Sequence, residues 1–274
     1  MRNYKPVRTS GFAKVLDEIG IITWRNLAHI PRVPEKLADV TIQPIVFVLL
    51  FGYVFGSAIN LQGGNYIEFL LAGIFVQSAA FGAINNAVGV VGDMKEGVID
   101  RFRSLPIARI SVLLGRAIAS LLESALGICV MVICGLAIGW HAHGGFMDTA
   151  GAFGLLAFFT FAMICIGTML GLWVKTAEAA QGIGFVVVFP LTFAANTFVP
   201  TMGMPAPLRF VADHSPVSAT VAALRHLFGN PNPVAPDAPW NLTHPVEATL
   251  LWCTGLALAG LAGAVYRYTV ARKS

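Results

Sequence analysis

YIEFLLAGIFVQSAAFGAINNAVGVV, residues 66–91, runs directly into GDMKEGVIDRFRSLPIAR, residues 92–109. The first stretch has a single charged residue, Glu68, close to its start. As a helix rising about 1.5 Å per residue it would reach roughly 39 Å, more than the ~30 Å hydrocarbon core of a bilayer. The second stretch carries Asp93, Lys95, Glu96, Asp100, Arg101, Arg103 and Arg109. Charges at that density cannot stay in hydrocarbon. An apolar helix that ends abruptly in such a segment is a membrane crossing followed by its exit into water.

The rest of the chain repeats this pattern. Of 274 residues, 56% are hydrophobic and 12% charged, with a mean hydropathy of +0.73. Soluble domains average about 25% charged residues, so this chain could not cover a water-facing surface. Six apolar spans are expected, at about 38–59, 66–91, 110–140, 149–173, 181–199 and 246–267. The fold class is therefore an all-α polytopic membrane protein. Residues 1–37 read as a cytoplasmic amphipathic interface helix, and 38–274 as a six-helix transmembrane domain. The N-terminal arm lacks the short apolar core and small-residue cleavage site of a signal peptide.

Basic residues settle the expected orientation. Sixteen of the 18 Lys and Arg fall in the N-terminal arm, around the 2–3 loop, in the 4–5 loop or in the C-terminal tail. Arg209 and Arg225 alone lie in the long 5–6 connection, and the 1–2 and 3–4 loops have none. Positive charge marks the cytoplasmic side. This predicts a multi-pass protein of the plasma (inner) membrane with both termini cytoplasmic.

Three segments are not spans. In Ser10–Ile30, Phe12, Leu16, Ile19, Ile22, Leu27 and Ile30 recur at helical spacing between charges. That fits a helix lying in the interface, either a simple anchor or a lever joined to the first span. In the 2–3 loop, Val98, Ile99, Phe102 and Leu105 form an apolar stripe ended by Pro106. This segment is either a solvated charged loop or a short helix offering its charges to a soluble partner. After span 5, the prolines of 200–207 precede a helix at 217–228 too polar to cross, with Ser218, Thr220, Arg225 and His226. A re-entrant element on the external face is expected, because irregular backbone at membrane depth must be covered by protein or face a water-filled cavity.

Several chemistries find no support. No GxxxxGK[ST] phosphate loop exists in the chain, so ATP cannot be bound in that manner. His141 and His143 lack a third metal ligand, and no metal site is expected. No basic stripe with stacking aromatics suggests nucleic acid. The cysteines Cys129, Cys134, Cys165 and Cys253 sit in apolar stretches and read as small buried hydrophobes. Among polar residues inside spans, Gln77, Asn85, Asn86, Glu123, Thr192 and Asn196 are candidates either for function or for inter-helix hydrogen bonds.

The stretch from Asp93 to Arg116, DMKEGVIDRFRSLPIARISVLLGR, resembles the motif of ABC-2 type transporter permeases, closest to the daunorubicin-resistance-like branch. Phe198-Val-Pro and the later HSPVSATVAALR, His214 to Arg225, resemble the segment before that branch's last span. The resemblance implies a permease subunit working with a separate ATPase, two copies of each, so that ATP and Mg belong to the partner and this chain is not itself an enzyme. It implies a coupling helix docked on the ATPase, formed by Asp93, Lys95, Glu96, Asp100, Arg101, Phe102, Arg103 and Leu105. Lys175 and Glu178 would make a second cytoplasmic contact. A second permease, identical or homologous, would face this one across a substrate path lined by Asn85, Asn86, Phe193 and Asn196. The implied function is export of a hydrophobic or amphipathic drug- or lipid-like molecule. A polysaccharide or glycolipid permease is the alternative within the family. A transporter driven by an ion gradient is the alternative outside it.

Overall fold

The computed structural model describes residues 17, 19–21, 23, 42, 45–55, 65–97 and 109–270, and among them every regular element is helical. Helix α1 covers Ile45–Val54 and passes into a π-helical turn at Leu50–Phe55. Then follow α2 (Tyr66–Lys95), α3 (Arg109–Ala137), α4 (Phe146–Trp173) and α5 (Ala177–Phe193). Two shorter helices, α6 (Ala206–Asp213) and α7 (Pro216–Phe228), come next. The turn α8 (Trp240–Thr243) leads into α9 (Pro245–Val270). Four helices, α2, α3, α4 and α9, are long and apolar enough to cross a membrane, and α1 and α5 are shorter apolar helices. The protein is a polytopic helical bundle.

Helix ends follow from local chemistry. Asn65 caps α2 by accepting a hydrogen bond from the Ile67 amide at 2.9 Å. The helix runs four residues past the predicted end of the second span and stops where Gly97 adopts φ +67°. α3 ends three residues before its predicted limit, because Gly139 takes φ +96° and the Trp140 amide turns back to the Gly135 carbonyl. α5 begins earlier than predicted because Thr176 caps it, accepting from the Ala179 amide at 3.1 Å. It also ends earlier, at Phe193, three residues after Pro190. The middle of the predicted first span is α1, while its two ends and most of the predicted interface helix lie outside the described residues. Of the interface helix, Ile19 is half-buried and Thr23 buried on one face, while Asp17 and Ile21 are exposed.

The core forms where α2 meets α4. Lipid tails are as apolar as leucine, so helix association in a bilayer depends on close packing and inter-helix hydrogen bonds. Gly167 of α4 rests on the Ala83 carbonyl, and a Cβ at Gly171 would come within 2.6 Å of the Ala87 carbonyl. α9 approaches the other side of α4 at Gly260, where a Cβ would lie 2.6 Å from the Cys165 carbonyl carbon. α7 is buried against α4, α9 and α2, with Val217, Ala219, Val221, Ala222 and Leu224 fully enclosed. Trp140, Phe228, Phe75 and Phe153 close one end of this core, with Trp140 and Phe228 5.3 Å apart and edge-to-face.

Replacing Gly167 with Ile should therefore cost about 1–3 kcal/mol of overpacking strain. A lower melting temperature in detergent would show it, whereas Gly154→Ile, where no atom lies within 4 Å of a Cβ, should leave the melting temperature unchanged.

Candidate functional site

Two polar regions occupy opposite ends of α2, with a polar node between them. At the charged end, Asp93 in the last turn of α2 forms an ion pair with Arg116 near the start of α3. Arg116 lies across α2 at Gly89, where a Cβ would meet its guanidinium at 2.5 Å. A side chain at position 89 would push the guanidinium away from Asp93. The two helices flanking the charged 2–3 loop are thus braced at its base. Thr23 donates to the Gly115 carbonyl at 3.1 Å, bringing the N-terminal helix to the same place.

Lys95 and Glu96 are exposed where α2 ends, and Lys175 and Glu178 are exposed where α4 turns into α5. Glu178 lies in the first turn of α5, ahead of the helix's apolar run. Its carboxyl is held below the ordinary range by a backbone hydrogen bond, then by Thr176, then by the Lys95 charge. The two predicted cytoplasmic contact regions therefore share one face. Asp100, Arg101, Phe102, Arg103 and Leu105 lie outside the described residues.

Midway along the bundle, Asn86 and Asn85 diverge. Asn86 is buried; it donates to the Ile164 carbonyl at 3.0 Å and to the Thr168 hydroxyl at 2.8 Å, and accepts from Ser120 at 3.0 Å. One amide joins α2, α3 and α4. Asn85, about 100° around the helix, is exposed.

The other end is built around Arg225, a basic residue of the 5–6 connection and the last of the HSPVSATVAALR segment, to which the sequence assigned no role of its own. Its side chain is 1% exposed. Nε donates to the Phe69 carbonyl at 2.9 Å, and Nη2 to the carbonyls of Asn196 at 2.9 Å and Thr197 at 3.1 Å. The guanidinium lies 3.4 Å over the Phe69 ring. α7, the first turn of α2 and the turn after α5 are held by one cation.

Neighbouring bonds reinforce this arrangement. Tyr66 donates to the Phe198 carbonyl at 3.2 Å, the Asn196 amide to Ser218 at 3.1 Å, and Asn230 to the Glu68 carbonyl at 3.2 Å. His143 meets Glu68 at 2.8 Å, and the His143 and Gly144 amides donate to the Phe228 carbonyl. Phe193, predicted to line a path, is half-buried and belongs to an aromatic row. Phe189–Phe193 centroids are 4.2 Å apart, Phe193–Phe198 5.0 Å and Phe198–Phe51 4.4 Å. Asn196 is buried, with its side-chain oxygen unpartnered.

The family model described as ABC-2 type transporter matches residues 17–228. The chain belongs to the ABC-2 type transporter family. It is 30% identical over 223 residues to the daunorubicin resistance ABC transporter permease protein DrrB1 of Streptomyces coeruleorubidus, covering 81% of this chain and 77% of that one. It is 26% identical over 230 residues to the doxorubicin resistance ABC transporter permease protein DrrB of Mycobacterium tuberculosis, covering 76% and 74%. The ABC-2 match takes in both polar ends of α2, the braced charged end and the Arg225 cluster.

Asn86→Ala in this ABC-2 protein should lower stability by about 1–3 kcal/mol, since it removes three inter-helix hydrogen bonds and such bonds in membrane proteins average about 0.6 and reach about 1.7 kcal/mol each. Asn85→Ala should leave unfolding in detergent unchanged; equal losses for both would contradict the node.

Proposed function

We propose that the chain is the permease subunit of an ATP-driven exporter whose substrates are hydrophobic or amphipathic drug-like molecules. The observation that carries this reading is the family match across residues 17–228, together with relatives named for daunorubicin and doxorubicin resistance. On this reading α1 and α5 complete six spans, the termini and the Asp93–Arg116 end face the cytoplasm, and α6–α7 form the re-entrant external element. ATP and Mg belong to a separate ATPase subunit present in two copies.

The 2–3 loop grips that ATPase, with Lys95, Glu96, Asp100, Arg101 and Arg103 as charged contacts and Phe102 and Leu105 as apolar anchors. Lys175 and Glu178 add a second contact. Asp93 has a different task. Paired with Arg116, it stiffens the base of the loop so that ATPase motion turns α2 and α3 together. The exposed apolar faces of α1 (Val46, Leu50, Tyr53) and α5 (Val186, Val187, Phe189) suit a second permease across a shared path. Asn85 and Phe193 line that path, while Asn86 holds the wall behind it and Asn196, buried against α7, belongs to the wall at its end. For ATP to drive export, the two arrangements of the permease must differ in their affinity for the ATP-bound partner.

The test uses inverted vesicles containing the permease and its ATPase, with doxorubicin as a fluorescent probe. Uptake should require ATP. Asp100→Lys or Arg101→Glu should reduce it by about tenfold or more, as expected for losing a close interfacial charge pair. Uptake driven by an imposed proton or sodium gradient without ATP would overturn the reading in favour of secondary transport. Asp93→Arg alone should impair uptake, and adding Arg116→Asp should restore most of it. A double variant as impaired as the single one would remove the brace from the account.

A further inference from the structure

Arg225 does more than fill the core. It is a buried cation with no ion pair among the described residues; its hydrogen bonds go to three neutral carbonyls, and its flat face lies on Phe69. A permanent structural cation buried in a protein is ordinarily paired with a carboxylate. Carbonyl acceptors bind the guanidinium more weakly and can be exchanged. Replacements are close at hand: Asn196 Oδ1 and Thr197 Oγ1 are both buried and both unpartnered. They belong to the two residues whose carbonyls Arg225 now holds. Trading a backbone acceptor for one of these side-chain oxygens would leave the guanidinium satisfied.

The held segments differ in mobility. The first turn of α2 is fixed to a rod packed along α4. The turn 194–198 ends α5, which contains Pro190 and contacts α2 through Gly184, where a Cβ would lie 2.8 Å from Ile84. Proline in a helix interior removes a backbone bond and permits bending. Arg225 thus joins a rigid element to a hinged one, beside the aromatic row from Phe189 to Phe51.

We propose that Arg225 is a positioning residue, the latch of the outer gate. Its bonds to Asn196 and Thr197 hold the α6–α7 hairpin closed over the end of α5, and their exchange lets that end swing when substrate leaves. This rests on the export reading, which puts this end outside.

The experiment measures labelling by a membrane-impermeant maleimide added to intact cells that express the permease with its ATPase. The four native cysteines are replaced by alanine. Thr197→Cys reports on the latch, because Thr197 is fully buried and bonds Arg225 through its backbone. Met202→Cys, 52% exposed at present, reports which side this end occupies. Thr197→Cys should label slowly. Adding Arg225→Gln should raise its rate about tenfold or more, the scale of one lost hydrogen bond to a charged group. Met202→Cys labelling should stay constant, and drug moved per ATP hydrolysed should fall while ATP hydrolysis remains within about twofold. Arg225→Lys should lie between Arg225→Gln and the parent.

An unchanged Thr197→Cys rate with undiminished transport per ATP would overturn the latch. Should Arg225→Gln fail to accumulate, Arg225→Lys and Tyr66→Phe, which loses the bond to the Phe198 carbonyl, decide the matter. Each should speed labelling by about two- to fivefold, and no change in either would overturn the proposal. Met202→Cys labelling only after permeabilisation would place this end inside, removing the orientation on which both the gate and the export topology depend. Transport that needs no ATP, with latch-dependent labelling intact, would overturn the export reading alone.

Discussion

The close approach of α2 to α4 is the contact that everything else in this bundle depends on. In water, burial of oily side chains would hold two helices together even if they fitted poorly. In a bilayer that driving force is absent, and association comes from dispersion at short range and from polar groups that find partners across the interface. Gly167 and Gly171 let the α4 backbone settle against the Ala83 and Ala87 carbonyls. Once the backbones are that close, Asn86 can reach both the Ile164 carbonyl and Thr168. Packing and hydrogen bonding are therefore not separate contributions here, because the glycines set the distance at which the amide can bond.

The rod formed this way has a polar task at each end. At the charged end, the brace between Asp93 and Arg116 works because Gly89 lets the guanidinium cross α2. At the other end the backbone is irregular, from Ala194 through the prolines to α6, and its carbonyls need donors. A single guanidinium supplies several donors in a fixed fork, and Arg225 uses Nε and Nη2 to satisfy three carbonyls from two distant segments. A lysine would bring one nitrogen without the fork, and it would stack less well on Phe69.

Much of this could be read from the sequence, and what could not has a common cause. The long apolar stretches in α2, α3, α4 and α9 were legible because lipid imposes length and composition directly. The family resemblance was legible in the charged run after α2 and in the segment ending at Arg225, and the match over residues 17–228 agrees with it. Helix limits shifted where a glycine took positive φ or a threonine capped, as at Gly139 and Thr176. The role of Arg225 was not legible, because its partners lie 28, 29 and 156 residues away in the chain. Asn85 and Asn86 are chemically identical neighbours, and only the direction of α4 tells them apart. The ion pair of Asp93 was hidden for a similar reason: its partner follows the loop, and sequence gives no measure of how tightly the hairpin closes.

Where the bundle can move follows from where it cannot. The Ala83 and Ala87 carbonyls seat directly on Gly167 and Gly171, a fit that sliding α2 along α4 would lose, so this pair moves as one body. α9 is fixed to the same body through Gly260. What remains is α1, with its π-helical turn at Leu50–Phe55, and α5, with Pro190 and an exposed face at Val186 and Val187. Both helices carry local breaks in regular hydrogen bonding, and both meet the aromatic row at Phe51 and Phe193. In the proposed export cycle the ATPase moves the rigid body through the braced loop, and the change in path shape is taken up by α1 and α5. Arg225 sits on the boundary between the two, which is where a latch can sense the relative motion of both.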